Sequence, residues 1–169
     1  MNATDIAKMD FFELGDKTSL ICADATLADS LRANLNELGF KFHESDSADG
    51  AIDRLRYTQY DCVLIQESFA GSTLRTNAVL NYLASLPMNL RRNSFVCLIG
   101  PSFKTLDAMQ SFARSVHMVV NPTDLPNLTA ILKKGLAEFD STYRIYKIAA
   151  EAVGERRGGG GGGVNARRT

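Results

Sequence analysis

Short apolar segments alternate with helical leucine patterns along this chain, and this alternation limits the possible folds more than any other feature. The segments at residues 18–23, 40–44, 60–65, 95–99 and 118–120 have the length and composition of short strands, most of them buried. Helical patterns separate them, and right-handed connections between parallel strands place helices on both faces of one sheet. The sequence therefore predicts an α/β fold, with a doubly wound sheet of five parallel strands and five helices.

Capping and helix-breaking residues predict where the helices begin and end. Leucines recur at helical spacing up to Gly39, which is expected to end the first helix, and Pro87 is expected to end the third. Asp124 is the expected N-cap of the last helix, with Pro126 in its first turn. The helical pattern then continues to about Val153. The last helix is therefore expected to outrun the domain.

These patterns divide the chain into four parts. Residues 1–17 form an apolar leader, and residues 18–139 form the domain itself. Residues 140–157 extend the last helix. A run of six glycines begins at Gly158, so residues 158–169 are expected to form a disordered tail.

A stripe of apolar residues follows the last helix at alternating steps of three and four residues. It consists of Leu125, Leu128, Leu132, Leu136, Phe139, Tyr143, Tyr146, Ala150 and Val153. The first half is expected to cover the sheet, while the second half projects past a domain of this size. A projecting stripe is typical of a coiled coil or of a helix in a partner's groove, so we expect a protein partner or a homodimer through this helix. The alternative is that the second half folds back on Phe11 and Phe12.

The charge balance and the apolar runs exclude some partners. Lysine plus arginine equals aspartate plus glutamate, 19 each, so no excess of positive charge favours nucleic acid. No apolar run approaches the ~20 residues of a membrane span, and the first residues lack the pattern of a secretory signal. Cys22, Cys62 and Cys97 lie in separate apolar strands and are expected to be reduced core residues. We therefore expect a cytoplasmic protein that binds neither nucleic acid nor membrane.

Four residues stand where ligands bind in doubly wound folds. In such sheets the crevice lies beyond the carboxyl ends of the strands, near the point where the strand order reverses. Asp24, Gln66, Gly100 and Asn121 end or follow the first, third, fourth and fifth strands. We expect these residues to surround one site.

Several landmarks also occur together in the order and spacing of one known family. They are Asp24, Gly39-Phe40, Ala48-Asp49-Gly50-Ala51, Tyr60-Asp61-Cys62-Val63-Leu64-Ile65 and Asn121-Pro122. On these landmarks, residues of about 18–139 resemble the receiver domain of bacterial two-component response regulators. The resemblance implies a flavodoxin-like (βα)5 fold, here with an extended C-terminal helix, and a role in phosphorelay signalling.

The resemblance also implies a phosphorylation site, and this sequence departs from it at several positions. The family uses an acidic pair that holds magnesium, an aspartate that accepts the phosphoryl group, a hydroxyl residue and a lysine. The corresponding positions here are Asp24, Gln66, Ile99 or Gly100, and Asn121. Of the acidic pair only Asp24 remains, because Ala23 takes the first place.

The departures predict that the chemistry is absent. An amide is a poor nucleophile, and one aspartate beside amides makes a poor magnesium site, so we expect no catalytic residue, metal or other cofactor, and no enzyme activity. Sliding the third strand by one residue would give Glu67 the acceptor place, but it would turn every side chain to the opposite face. His43, at the edge of the second strand, is expected to be an exposed filler residue, and His117 has no partner close in sequence, so neither predicts a catalytic dyad.

What remains is a surface for binding. In the family, the face made by the fourth helix, fifth strand and fifth helix docks partners, and several apolar residues of this chain fall near it. They are Phe103, Met109, Phe112, Met118, Phe139, Tyr143 and Tyr146. The alternative is that most of these residues belong to the core.

Three functions are therefore open. The first is a pseudo-receiver, which cannot be phosphorylated and acts as a protein-interaction or dimerisation module in bacterial signalling. The second is a working receiver with unusual ligands. The third is a scaffold or self-assembling structural protein that uses the fold as a building block.

Overall fold

The structure, a computed structural model, describes residues 12–158 and confirms the doubly wound sheet. Its strands are β1 (Lys17–Cys22), β2 (Phe40–Ser45), β3 (Cys62–Gln66), β4 (Phe95–Ile99) and β5 (Met118–Val120). Neighbouring strands are parallel in the order β2-β1-β3-β4-β5. The order reverses between β1 and β3, which is where a binding crevice is expected.

Six α-helices occur within residues 12–158, one more than predicted. They are α1 (Ala25–Glu37), α2 (Ala48–Tyr57), α3 (Ala78–Ser85), α4 (Met88–Arg91), α5 (Ala108–Ala113) and α6 (Leu128–Gly158). The sequence prediction missed α4 because Pro87 was interpreted only as a stop signal. Proline cannot continue a helix, but it is well tolerated at the start of one, and here it directly precedes α4.

Two apolar clusters form the core, one on each face of the sheet. Side chains alternate along each strand, so Leu20 and Cys22 belong to one cluster and Ile21 to the other. Residues of α2 and α3 cover the first face, while residues of α1 and α6 cover the second. The three cysteines are free and fully buried, as predicted, and burial raises the pKa of Cys62 to about 12.

The predicted start of the last helix is wrong. Asn121, not Asp124, caps this region: its side chain accepts a hydrogen bond from the Thr123 N–H and begins a 3₁₀ segment, Pro122–Asn127. The α-helix starts only at Leu128. Pro126 disfavours the α conformation for the residue before it, which explains the delay. α6 continues past Val153 to Gly158.

The first described residue, Phe12, packs against the domain rather than against the last helix. Its ring stacks on His43, with 4.2 Å between centroids, and meets Tyr60 edge-on. His43 Nδ1 lies 2.7 Å from the Tyr60 hydroxyl. Phe12, His43 and Tyr60 therefore form one aromatic cluster. The fold-back of α6 is therefore wrong as far as it concerns Phe12, and its other half, which rests on Phe11, stays a prediction. Phe11, the rest of the leader before it, and the tail after Gly158 lie outside the described residues.

Candidate functional site

The predicted site residues meet at the carboxyl edge of the sheet. Asp24 stands two residues after the end of β1 and is the N-cap of α1, with its Oδ1 accepting from the Leu27 N–H at 2.9 Å. Gln66 is the last residue of β3, next to β1 in the sheet. These two side chains therefore face each other at the reversal point, where the crevice of a doubly wound fold forms.

Asp24 and Gln66 are joined by two reciprocal hydrogen bonds. The Asp24 backbone N–H donates to Gln66 Oε1, and Gln66 Nε2 donates to Asp24 Oδ2, both at 2.7 Å. Only this orientation of the amide gives each contact a donor and an acceptor. The bonds from the Leu27 N–H and from Gln66 hold the pKa of the Asp24 carboxyl below its usual value, so Asp24 is ionised at neutral pH.

This pairing leaves little chemistry for phosphoryl transfer. Gln66 Oε1 is turned to the Asp24 backbone, and its NH₂ group binds the carboxylate that would otherwise hold a metal ion. An amide oxygen is also a poor nucleophile. Magnesium requires several oxygen ligands with negative charge, and Asp24 supplies one carboxylate that is already bonded on both oxygens.

Gln66 is the last residue of β3 in the sheet register, and Glu67 follows the strand. Gln66 pairs with Ile99 within the sheet, and the Glu67 N–H donates to the Ile99 carbonyl at 2.8 Å just beyond it. The assignment of Gln66, rather than Glu67, to the acceptor place stays a prediction. Ile99 is fully buried, so the residue at the edge after β4 is Gly100.

Glu67 instead fills the space beside Gly100. A Cβ atom placed on Gly100 would lie 1.9 Å from Glu67 Oε2. The Ser102 hydroxyl donates to Glu67 Oε1 at 2.8 Å and holds the carboxylate there. The residue expected to bear a hydroxyl is thus a glycine whose missing side chain makes room for an acid.

Asn121 closes the site on the β5 side and is bound to the surrounding loops. Its Nδ2 donates to the Phe103 carbonyl at 2.8 Å, and its Oδ1 accepts from the N–H and the hydroxyl of Thr123. The Asn121 N–H donates to Thr105 Oγ1, and that hydroxyl donates to Asp124. Asn121 therefore acts as a loop clamp, in the place where the family has a free cation.

Asn77 holds the end of β3 next to the site. This residue was not identified from the sequence. Its buried side chain donates from Nδ2 to the Gln66 carbonyl at 3.2 Å, while Oδ1 accepts from the Leu80 N–H. Asn77 thus joins the end of β3 to the N-terminus of α3. The available signal was an asparagine directly before a helical apolar pattern, which is typical of an N-cap.

Solved structures of receiver domains have a similar architecture. A receiver domain from Methylobacillus flagellatus is 24% identical, with a TM-score of 0.54, and the match covers 71% of this chain and 98% of that one. A CheY-like receiver domain from Methanospirillum hungatei JF-1 is 12% identical, with a TM-score of 0.57, and covers 75% of this chain and 98% of that one. The chain has the fold of a receiver domain.

A third solved structure matches a larger share of this chain than these two receiver domains do. It contains the trimeric coiled coil of yeast Spc42 fused to another structure, is 16% identical with a TM-score of 0.58, and covers 86% of this chain and 94% of that one. No family model and no curated protein matches the sequence. At these identities the similarities establish the receiver fold alone.

The predicted interaction residues fall into three groups, which are buried residues, exposed residues of α5 and aromatic residues of α6. Phe103 and Met118 are buried, so they belong to the core and the prediction of a surface role is wrong for both. Phe103 lies in one of the two apolar clusters of the core, and Met118 lies in the other. Met109 and Phe112, on α5, are 75% and 81% exposed.

The aromatic residues of α6 occupy the boundary between domain and solvent. Phe139 and Tyr143 lie edge-on to the ring of His117, with centroids 4.8 and 6.2 Å away. Burial, with a smaller effect of Arg91, lowers the pKa of His117 to about 4, and its Nδ1 accepts from the Val96 N–H. The neutral imidazole is therefore a packing residue.

Residues 12–158 contain neither a candidate metal cluster nor a candidate membrane span. No cluster of three or more His, Cys, Asp or Glu side chains is arranged to hold a metal ion. None of the helices in this part of the chain has both the length and the apolar character needed to cross a membrane.

Proposed function

We propose that this protein is a pseudo-receiver: a receiver domain that cannot be phosphorylated and acts as a protein-interaction or dimerisation module in bacterial signalling. The observation that carries the proposal is the reciprocal Asp24–Gln66 pair, which puts a bonded amide at the acceptor position. We assign it no catalytic activity, no metal and no other cofactor, and we place it in the cytoplasm.

The neighbouring residues support the same function. Gly100 and Asn121 supply neither the hydroxyl nor the cation that would stabilise a phosphoryl group, and Asn121 is committed to the Phe103 and Thr123 contacts. Glu67 is the other carboxylate close by, and it accepts from Ser102. Asp24, Gln66, Glu67 and Asn121 are thus each bonded to other groups of the protein, as expected of a domain that is retained for its surfaces.

Exposed apolar side chains support the interaction half of the proposal. Met109 and Phe112 stand out from α5, and α6 carries exposed apolar residues beyond the domain. The structure with the Spc42 coiled coil matches a larger share of this chain than either receiver domain does. That larger share supports a helix-mediated contact, with a second copy or a protein partner.

Incubation with a small-molecule phosphoryl donor tests the first part of the proposal, that the domain cannot be phosphorylated. We would incubate the full chain with the donor and magnesium and measure its intact mass. The expected result is no added phosphoryl group. The matched control restores the family's residues with Ala23→Asp, Gln66→Asp, Gly100→Thr and Asn121→Lys together, and it is expected to gain the group. A stoichiometric gain in the natural chain would instead support the working receiver.

The long projecting helix also favours the scaffold as a second candidate. Light scattering of the full chain over a range of concentrations separates the two. A mass that stops at a closed oligomer supports the interaction module, while a mass that keeps rising supports open assembly.

A further inference from the structure

The contact between Arg92 and Tyr146 marks the point where α6 leaves its own domain. The Arg92 guanidinium lies over the Tyr146 ring, 4.1 Å from its centroid. Along the sheet-facing stripe, Leu128 and Leu132 are fully buried, Tyr146 is 40% exposed and Val153 is 53% exposed. The domain therefore covers this stripe up to Tyr146 and not beyond it.

A second stripe of α6 changes character at the same point. Steps of four and three residues, which keep to one face of a helix, lead along Lys134, Glu138, Ser141, Ile145, Ile148 and Ala152. The first three are polar and exposed beside the domain. The next two are isoleucines that are 76% and 59% exposed. One helix face thus turns from polar to apolar where the domain ends.

The third stripe is polar and electrically balanced. It follows Asp140, Arg144, Lys147 and Glu151, two acids and two bases. Arg144 Nη2 lies 2.6 Å from Asp140 Oδ2. The three stripes divide the helix circumference into roughly equal thirds, since each residue turns the helix by about 100°. Between Ile145 and Gly154, only one third of the helix circumference is therefore suited to water, and such a helix is normally covered.

We infer that a second copy of this chain docks on the isoleucine stripe, defined here as Ile145, Ile148, Ala149 and Ala152. This inference rests on the dimerisation half of the proposed function and assigns the face that performs it. The sheet-facing stripe, with Tyr143 and Tyr146, packs against the domain of its own chain.

The chemistry of the stripe favours a copy of the same chain over other occupants. In a two-fold contact a stripe meets itself, so any charge on it would face a like charge. The four residues of the isoleucine stripe are uncharged, and the two alanines allow the helix backbones to approach closely. The balanced polar stripe beside it provides no excess of positive charge to attract an anionic membrane.

The size of the stripe predicts a weak contact. The projecting segment from Ile145 to Gly154 makes roughly three helical turns. A stable interface usually involves ~20–30 residues from each partner. We therefore expect a reversible dimer whose population rises with protein concentration in the micromolar range.

Two matched lysine substitutions test the assignment in the full chain. Ile148→Lys places a charge on the isoleucine stripe, and Ala150→Lys places the same side chain on the opposite side of the same turn. We would measure mass by sedimentation equilibrium over a concentration series, and helicity and thermal unfolding as checks on folding. The expected result is a concentration-dependent dimer for the natural chain and for Ala150→Lys, and a monomer for Ile148→Lys.

Three outcomes would overturn the inference. Loss of the dimer only in Ala150→Lys would assign the contact to the sheet-facing stripe, and a dimer in both variants would place it away from this segment of α6; in both cases the proposed function would stand. A natural chain that is monomeric at every concentration would remove both the isoleucine contact and the dimerisation half of the proposed function.

Discussion

The carboxylate of Glu67 occupies the space that a side chain on Gly100 would need, since a Cβ there would lie 1.9 Å from Glu67 Oε2. The loss of a side chain after β4 and the presence of an acid after β3 therefore belong to one arrangement. Together with the Asp24–Gln66 pair, it means that the edge of the sheet is filled by contacts within the protein itself.

A substitution at Gly100 tests this arrangement. Gly100→Ala should displace the Glu67 carboxylate and break its bond to Ser102, which costs about 0.5–1.5 kcal/mol of the free energy of unfolding. In a Glu67→Ala background the same change should cost nothing, because the space is then empty. Urea unfolding of the four proteins in this cycle provides the measurement. Equal costs in both backgrounds would contradict the arrangement.

The Asp24–Gln66 pair should depend on the absence of charge at position 66. Gln66→Asp removes the amide donor and puts a second carboxylate near Asp24, whereas Gln66→Asn shortens the side chain without adding charge. At neutral pH the Asp variant should unfold more easily than the Asn variant, and the difference should shrink below about pH 4, where carboxyl groups are protonated. Denaturant unfolding at several pH values measures this, and a difference that does not change with pH would contradict it.

His117 should make stability depend on pH. The pKa of His117 is about 4 in the folded protein and about 6.5 when unfolded, so the unfolded chain binds more protons between these values. Stability should therefore fall as the pH falls from about 6.5 to 4, by up to ~3 kcal/mol from this group. His117→Asn keeps an acceptor for the Val96 N–H and removes the titration. The difference in unfolding free energy between the two proteins should follow this window, and a constant difference would contradict it.

Substitutions of Asn121 should lower the free energy of unfolding, and the loss should grow with the number of its contacts, to Phe103 and to Thr123, that are removed. Asn121→Asp keeps the acceptor for Thr123 and loses the donor to Phe103, at about 0.5–1.5 kcal/mol. Asn121→Lys loses both and should cost about twice as much. Thermal unfolding should therefore rank the natural chain first, the Asp variant second and the Lys variant last. A Lys variant as stable as the natural chain would mean that the clamp contributes nothing.

The sequence predicted the sheet well because all of its strands except β2 are buried on both faces. Continuous apolar runs with glycine or proline nearby placed β4 and β5 at their observed bounds. Polar residues at the strand ends were also placed at the correct edge. Once the strand order is known, Asp24 and Gln66 must be neighbours there.

The errors arose where several local signals compete. Asn121 and Asp124 can both cap a helix, and only the three-dimensional contact of Asp124 with Thr105 decides between them. The partnership of Glu67 and Gly100 depends on a distance between two loops, which no pattern along the chain encodes. Phe103 and Met118 resembled surface residues only by their position in the family.

In the proposed pseudo-receiver, the edge around Gln66 binds neither magnesium nor a phosphoryl group. The most direct test is the amide NMR spectrum of the full chain, recorded during titration with magnesium and then with beryllium fluoride, a phosphoryl mimic. We expect no saturable shift of the amide signals of Asp24, Gln66 and Gly100. A saturable shift centred on these three residues would contradict it.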